Sequence, residues 1–423
     1  MDGIDQVSQD DDPHGTGIGP ILTTARTRGR SLTHQVFEKI RSSGRISRSD
    51  VAKDLGVSPG SVTAIVAGLM DAGFVRESPS PSRDTLRGRP PVDLTIIPEA
   101  RFVIGVNMRA DQHMAVVADS CGKTLAYAEK SHSAGRMDVP AMLEDLDELI
   151  GRVLKTSGLA RNQISALGLG LPGFVDHAAG MVHWSPILRD RKVELRAALE
   201  SRFPFSVQID NDANLLAMAE SWFGVGRKLS DFAVVTIEQG VGMGLILDNA
   251  IYRGALGLGL EIGHTTVQLD GALCRCGQRG CLEAYVADYA LVREASTAME
   301  WDPRVARSPQ QALEMLFDQA KAGNDAARLI FNRAGRYLSL GLANVIRIFD
   351  PELLIISGAR LRYDYLYAEE VLAEMHSFSD QIGRQRTRVE INTWGDLVWV
   401  RGAVAMALSA ATEDLSAPAR DTP

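Results

Sequence analysis

Three cysteines fall within eight residues, Cys274, Cys276 and Cys281, and His264 precedes the first of them by ten residues. The segment reads Glu261-Ile262-Gly263-His264, then Cys274-Arg275-Cys276-Gly277-Gln278-Arg279-Gly280-Cys281-Leu282-Glu283. Thiolates and imidazole are the ligands a tetrahedral zinc ion takes, and four of them complete its shell. A complete shell leaves no position for a reacting water, so zinc held here is structural. The glycines let the chain turn tightly around it. The competing reading is three unmetallated thiols in a loop. Clustering at this density favours metal over disulfides in a cytosolic chain. Cys121 stands alone and reads as a small buried hydrophobe.

At 423 residues the chain exceeds one ordinary core, so two or three domains are expected. No apolar run is long enough to span a bilayer. The N-terminus, MDGIDQVSQDDDPHG, is acidic and polar and does not read as a signal peptide. The expected setting is the cytoplasm, with no membrane partner. Net charge is -8, which alone argues against nucleic acid, but its distribution is uneven. Residues 1–20 carry five acids and no Lys or Arg and are expected to be a disordered acidic tail. Residues 21–98 carry an excess of about five bases, and everything after them is acidic again. A basic module on an acidic body fits a DNA-binding head on a soluble sensor.

Within 21–98 the spacing predicts three helices and a hairpin. Leu32, Val36, Phe37 and Ile40 share one helical face, ended by Gly44. A second helix runs over 47–55 and turns at Gly56. A third begins with Ser58 as N-cap and Pro59 at its first position, with Val62, Ile65, Val66, Leu69 and Met70 as its apolar stripe. Phe74-Val75 starts a strand, and Val92, Leu94 and Ile96 alternate as its return. This is the outline of a winged helix-turn-helix. The solvent face of the third helix offers Gly60, Ser61 and Thr63, small enough to approach base edges in a major groove. Arg45 and Arg48 stand where a phosphate clamp would be useful, and Ser58, at the start of the third helix, joins the candidate DNA-binding residues. Arg87-Gly88-Arg89 forms a cationic wing tip suited to an A·T-rich minor groove. The competing reading is a small helical packing module with a solvated basic loop.

From Arg101 strands and helices alternate: strands over 102–106, 114–118, 164–170 and 207–209, with helices over 139–156 and from Asp212 through Trp222. A hairpin over 232–237 and 244–247, helices over 287–348, a buried strand over 353–357 and a final helix over 398–411 follow. So long an α/β body implies two lobes.

The run E-I-G-H…C-x-C-G-x-x-G-C-L-E resembles the signature of the ROK family of repressors, open reading frames and sugar kinases. The resemblance covers about Leu32 to Ala411, head included. It implies a two-lobed actin/hexokinase-like (ribonuclease H-like) α/β body with sugar in the interlobe cleft. It implies residues 99–217 plus 397–415 as the first lobe, and 218–396, with the zinc loop, as the second. The motif match carries sugar binding onto Gly173, Asn211, Asp212, Glu261, His264 and Glu283, with His264 serving zinc and a sugar hydroxyl together. Read alone, each acid is a surface charge or a cap, and Asp212 in particular would cap the helix after it.

Family kinases use the counterpart of Asp212 as general base, and a first phosphate loop of the type D-x-G-G-T-K. Here that stretch is Gly105-Val106-Asn107-Met108-Arg109-Ala110-Asp111. Asn107 replaces the acid, and Met108 and Arg109 stand where small residues belong. The second loop has Glu238-Gln239 where Gly-Thr is usual, and a glutamate repels a triphosphate. The expectation is a non-enzymatic bacterial regulator, most simply a repressor of carbohydrate-utilisation genes. It would bind a palindromic operator on the nucleoid as a homodimer or homotetramer, and answer to a monosaccharide or sugar phosphate. The alternative is an ATP-dependent sugar kinase, kept open by the retained Asp212.

Overall fold

A computed structural model describes residues 17–21, 31–79, 92–132, 135–299, 309–358, 369–379, 386–391, 397–413 and 415. The chain forms two compact units, Met1–Ser230 with Asp248–Ala250 and Val398–Pro423, and Asp231–Leu247 with Ile251–Leu397. No described helix is long and apolar enough to cross a membrane.

The first unit begins with α1 (Leu32–Ser43), β1 (Ile46–Ser47), α2 (Arg48–Leu55), α3 (Pro59–Asp71), β2 (Val75–Pro79) and β3 (Val92–Ile96). Ser31, Ser47 and Ser58 each cap a helix, accepting from His34, Asp50 and Ser61 backbone N–H groups. Val36, Phe37, Ile40, Val62, Val66 and Leu69 meet the sheet residues Leu94 and Ile96 in one buried cluster. The strands pair in the order β1-β3-β2. The two-residue β1 escapes sequence reading because so short a run shows no alternation.

The body of the unit contains β4 (Phe102–Met108), β5 (Gln112–Asp119), β6 (Thr124–Ser131), α4 (Val139–Ser157), β7 (Ile164–Leu171), β8 (Phe174–Asp176), β9 (Met181–Trp184), α5 (Leu195–Arg202), β10 (Ser206–Asn211) and α6 (Asp212–Phe223). The sheet order is β10-β7-β4-β5-β6, with β10, β7 and β4 parallel. Central β4 is buried along its whole length, as a strand covered on both faces must be. The expected lobe boundary after residue 217 is not a break, because it falls inside the continuous α6. The chain leaves this unit at Ser230 instead.

The second unit contains β11 (Phe232–Ile237), β12 (Val241–Leu247), β13 (Ala250–Tyr252), α7 (Glu283–Val286), α8 (Asp288–Ala298), α9 (Pro309–Lys321), α10 (Asp325–Phe349), β14 (Leu353–Ser357), α11 (Glu369–Ser379) and β15 (Arg388–Ile391). Its sheet order, β13-β12-β11-β14-β15, again joins a hairpin to parallel strands. Helix α12 (Val398–Ala411) returns to the first unit and packs on α6, β4 and β7.

The supposed tail is ordered at its end. Ile18 N–H donates to the Arg41 carbonyl (3.1 Å), Gly19 N–H to Trp222 (2.9 Å) and Ile21 N–H to Arg227 (2.8 Å). Arg227 returns the contact, Nε to Gly19 O at 3.1 Å and Nη2 to Ser42 O at 2.9 Å. Residues 17–21 therefore form a strap between α1 and the end of α6, a correction to the tail expected over 1–20. Residues 1–16 lie outside the described residues. Cys121 packs against the head cluster, and burial pushes its thiol up to about 12, as expected of a small hydrophobe.

Asp119, at the end of β5, is 5% exposed. Its Oδ1 accepts from Cys121 and Lys123 N–H groups at 2.9 and 3.0 Å. Burial raises its carboxyl to about 6, the N–H donors opposing. A raised carboxyl pKa favours the folded state below pH ~4, and that contribution is lost as pH rises through about 6. Asp119→Asn is thus expected to be more stable than the parent at pH 8, by up to about 3 kcal/mol. The gain should vanish toward pH 4. Urea melts at both pH values check it.

Candidate functional site

Zinc, if bound, would have four ligands on one loop. One imidazole nitrogen of His264 and the sulfurs of Cys274, Cys276 and Cys281 all lie within 4.8 Å of one another. Cys276 and Cys281 sulfurs are 3.7 Å apart, as are Cys274 Sγ and His264 Nδ1. A disulfide needs about 2 Å, whereas thiolates at about 2.3 Å from a tetrahedral ion stand roughly 3.8 Å apart. The loop is built for this spacing. Thr266 bridges to Cys281 and Leu273 to Arg279, and Gly280 takes a φ of +77° where a Cβ would lie 1.7 Å from the Gln268 carbonyl. Burial, then the neighbouring thiols, push the Cys281 thiol up to about 12. Three thiols this close ionise together only beside a cation.

Around the thiols sits a supporting shell. The Tyr289 hydroxyl donates to Cys274 Sγ (3.6 Å) and to Glu283 Oε1 (3.4 Å). Glu283 Oε2 accepts the Val241 N–H at 3.4 Å, and a Cβ on Gly240 would stand 2.9 Å from that oxygen. Glu283 is thus tied to the β11–β12 turn and to the metal loop at once. Glu261 is the residue before the single helical turn Ile262–His264. These residues belong to the second unit.

In the first unit, Gly173, Asn211 and Asp212 gather at the carboxyl ends of parallel strands. Leu171 of β7 pairs with Asn211 of β10, and Asn107 of β4 with Gly170 of β7. This edge is where open α/β sheets bind ligands. Gly173 has φ +123°, and a Cβ there would lie 2.2 Å from the Trp184 carbonyl, so no other residue fits the turn. Asn211, not Asp212, caps α6: its side chain accepts the Asn214 N–H at 2.8 Å. Asp210 is buried and accepts from Asn214 Nδ2 at 2.8 Å. Asp212 is left half-buried with Oδ1 on the Ala213 N–H. Burial raises its carboxyl, opposed by that N–H and by the Arg109 cation. Sequence reading treated Arg109 only as a misfit in a phosphate loop, since a charge coupling across a sheet edge has no sequence spacing. Asn107 beside it is buried, with neither side-chain polar atom hydrogen-bonded among the described residues.

Helix α6 runs from Asp212 to Trp222 and Phe223, about 18 Å at 1.5 Å per residue. At its far end the Arg41 guanidinium of α1 lies 4.0 Å from the Trp222 ring centre, and the Gly17–Ile21 strap binds both elements. Arg41 also pairs with buried Glu38. The sequence hint was Ile18 and Ile21, two apolar anchors after an acidic run.

On the head, Gly60, Ser61 and Thr63 are exposed along α3, with Ala64 and Ala67. Ser58 caps the helix and its hydroxyl lies 2.8 Å from that of Ser61. Thr63 Oγ1 donates to the Pro59 carbonyl (2.9 Å). Arg48 is held by Glu77 at 2.8 Å, a surface pair worth at most about 1 kcal/mol. Arg45 donates to the Pro79 carbonyl at 3.3 Å. Arg87, Gly88 and Arg89 lie outside the described residues.

Comparison with known proteins follows the same division. The xylose repressor of Caldicellulosiruptor bescii is 27% identical over 383 residues, 88% of this chain and 94% of that protein. The DNA-binding transcriptional dual regulator NagC of Escherichia coli K12 is 28% identical over 327 residues, 76% and 79% of the two chains. A crystal structure of a ROK transcriptional regulator, a homologue of the E. coli MLC protein, superposes with a TM-score of 0.74 at 23% identity, covering 91% of this chain and 96% of that one. A ROK glucokinase from Streptomyces griseus, with glucose and AMPPNP, gives 0.62 at 25% identity, covering 73% of this chain and 99% of its own. The ROK family profile matches residues 103–410, and the chain belongs to the ROK family.

Proposed function

We propose that the chain is a DNA-binding transcription regulator, acting as a repressor of carbohydrate-utilisation genes, with operator affinity set by a monosaccharide or sugar phosphate. The observation that carries this is α6, with Asp212 at one end and the Arg41–Trp222 contact to the head at the other. Relatives named as repressors match 88% of the chain, and the kinase structure 73%. Gly60, Ser61 and Thr63 of α3 enter a major groove as the recognition surface of a winged helix-turn-helix. Ser58, Arg45 and Arg48 hold phosphates, and Arg87, Gly88 and Arg89 form the minor-groove tip. A homodimer or homotetramer reads a palindromic operator in the cytoplasm. Gly173, Asn211, Asp212, Glu261, His264 and Glu283 bind the sugar. His264, Cys274, Cys276 and Cys281 hold a structural zinc ion that orders three of them. The regulator does not transfer phosphate, because Asn107, Met108 and Arg109 replace the loop that would take ATP and magnesium.

Calorimetric titration of zinc-loaded protein with a monosaccharide and sugar-phosphate panel tests this. One sugar should bind with the same affinity with and without ATP–magnesium. Sugar-dependent ATP turnover lost in Asp212→Asn would make the chain a kinase instead.

The α6 route makes its own prediction. Trp222→Leu removes the ring under Arg41 and leaves a small cavity in its place. Sugar affinity should stay within a few fold, while the change in operator affinity that sugar causes should shrink by at least fivefold, toward the low end of allosteric coupling energies (~1–3 kcal/mol). Fluorescence anisotropy on labelled operator, with and without sugar, reads it.

A further inference from the structure

Away from the thiol loop, a second cluster of ligand-type side chains lies in the first unit. His113 is the second residue of β5, His132 follows β6, and Asp145 stands on α4. Asp145 Oδ2 is 3.6 Å from His113 Nδ1 and 3.7 Å from His132 Nδ1. The two imidazoles stack, 4.9 Å between centres with planes 19° apart. All three ligand atoms lie within 4.8 Å of one another.

These distances are too long for hydrogen bonds and suit a shared ion. Tetrahedral coordination at about 2.1 Å sets ligand atoms roughly 3.4 Å apart. His113 is 1% exposed, and neither ring nitrogen makes a hydrogen bond of ordinary geometry among the described residues, the Arg109 backbone being a polar neighbour beside the cluster. Leaving such a group unmatched costs about 1–3 kcal/mol. The other two ligands are oriented from behind. His132 Nε2 meets the Gly135 carbonyl at 3.2 Å, so it carries the proton and turns the Nδ1 lone pair toward Asp145. Lys130 Nζ donates to Asp145 Oδ1 at 2.8 Å and also pairs with Glu148, leaving Oδ2 facing the imidazoles. Second-shell bonds of this kind accompany histidine and carboxylate ligands of metals.

We propose that His113, His132 and Asp145 form a second metal site, for a divalent ion of the zinc class. Two imidazoles and one carboxylate suit zinc, cobalt or nickel; calcium and magnesium prefer all-oxygen shells, and copper(I) prefers sulfur. Three protein ligands leave a fourth position for water or an added ligand. The ion would tie α4 to the ends of β5 and β6. These strand ends hold the Arg109–Asp111 turn, through Arg109 N–H to Gln112 O (3.0 Å) and His132 N–H to Asp111 O (2.9 Å). Arg109 is the charged neighbour of Asp212, so occupancy bears on the sugar-binding edge.

Cobalt(II) titration of the metal-free full-length chain tests the site. Thiolate ligation gives an intense sulfur-to-cobalt charge-transfer band, which a nitrogen/oxygen site lacks, so one titration separates the two. The wild type should take up a second cobalt without further rise in that band, and metal analysis after desalting should count one ion beyond the thiol loop. His132→Gln and Asp145→Asn should each lose that ion and keep the thiolate band. Cys276→Ser/Cys281→Ser should keep it and lose the band. A wild-type titration ending with the thiolate band, or equal metal content in wild type, His132→Gln and Asp145→Asn, overturns the proposal. The wild-type titration decides even if a variant misfolds.

Discussion

Stripping the metal from the thiol loop, or replacing Cys281 by Ser, is expected to abolish sugar binding while operator affinity stays within a few fold. The reason is the division of labour along the chain. His264, Cys274, Cys276 and Cys281 lie in the second unit and the head lies in the first. The loop is anchored at its two ends, by Ile262 and Leu282 in the core, while its middle is exposed: Leu269 is 80% and Leu273 56% exposed. That middle is held by two isolated strand bridges, a few backbone hydrogen bonds and glycines at positive φ, and on the proposed reading by the ion. Structural zinc sites contribute apparent free energies of about 10–16 kcal/mol, far above what those bridges supply. Without the ion, burial and the neighbouring thiols push the Cys281 thiol up to about 12, so it stays protonated at neutral pH. Tyr289 and Glu283 lose the Cys274 sulfur they lean on. Glu261, His264 and Glu283 then lose their fixed positions together. Calorimetry should show no sugar binding, hydrogen exchange should rise across 261–283, and operator anisotropy should hold. Undiminished sugar affinity in the chelated protein would remove zinc from the mechanism.

The second large effect is steric. A Cβ on Gly402 of α12 would stand 1.9 Å from the Leu215 carbonyl oxygen and 2.5 Å from its carbon. Both are backbone atoms of α6, so no rotamer relieves the clash and the helices must separate. Gly168 under Ala403 (2.1 Å) and Gly105 under Val400 (2.6 Å) show the same tight seat of α12 on the sheet. Overpacking usually costs about 1–3 kcal/mol, and a backbone clash between two buried helices falls at or above the top of that range, about 3 kcal/mol. For a unit of this size 1 kcal/mol moves the melting midpoint by roughly 2–4 °C. Gly402→Ala should therefore lower the first unit's transition by about 6–12 °C or more. The second unit's should be unchanged. Because α6 is the displaced helix, the sugar response should fail in the same variant at temperatures where it is still folded. Calorimetric melting with an operator assay at 20 °C separates the two effects.

Much of this was legible in the residues. The helical stripes of the head, the strand runs of the body and the Cys3His loop each depend on local spacing, and each stands where spacing put it. Gly44, Gly56 and Gly73 end the head's elements with positive φ. What sequence could not show is what long-range packing decides. The strap at Gly17–Ile21 hides behind an acidic run, because its bonds are to residues as far away as Arg227. Read alone, Asp212 would cap the helix that follows it, and only geometry gives that role to Asn211 and frees Asp212. His113, His132 and Asp145 lie on three different elements, so no motif links them. The lobe boundary expected at 217 falls inside α6, because the signal for a helix over 212–223 does not say which unit its end belongs to.

The central claim is that a sugar bound by this chain changes its grip on DNA. The most direct measurement is the dissociation constant of the full-length, zinc-loaded protein for a palindromic operator from its own sugar-utilisation region, with and without the sugar identified by calorimetry. Tight, salt-sensitive binding is expected, weakened at least tenfold by the sugar in the wild type and unaffected by it in Asp212→Asn. An operator affinity no better than for random DNA, or one that the bound sugar leaves unchanged, would contradict it.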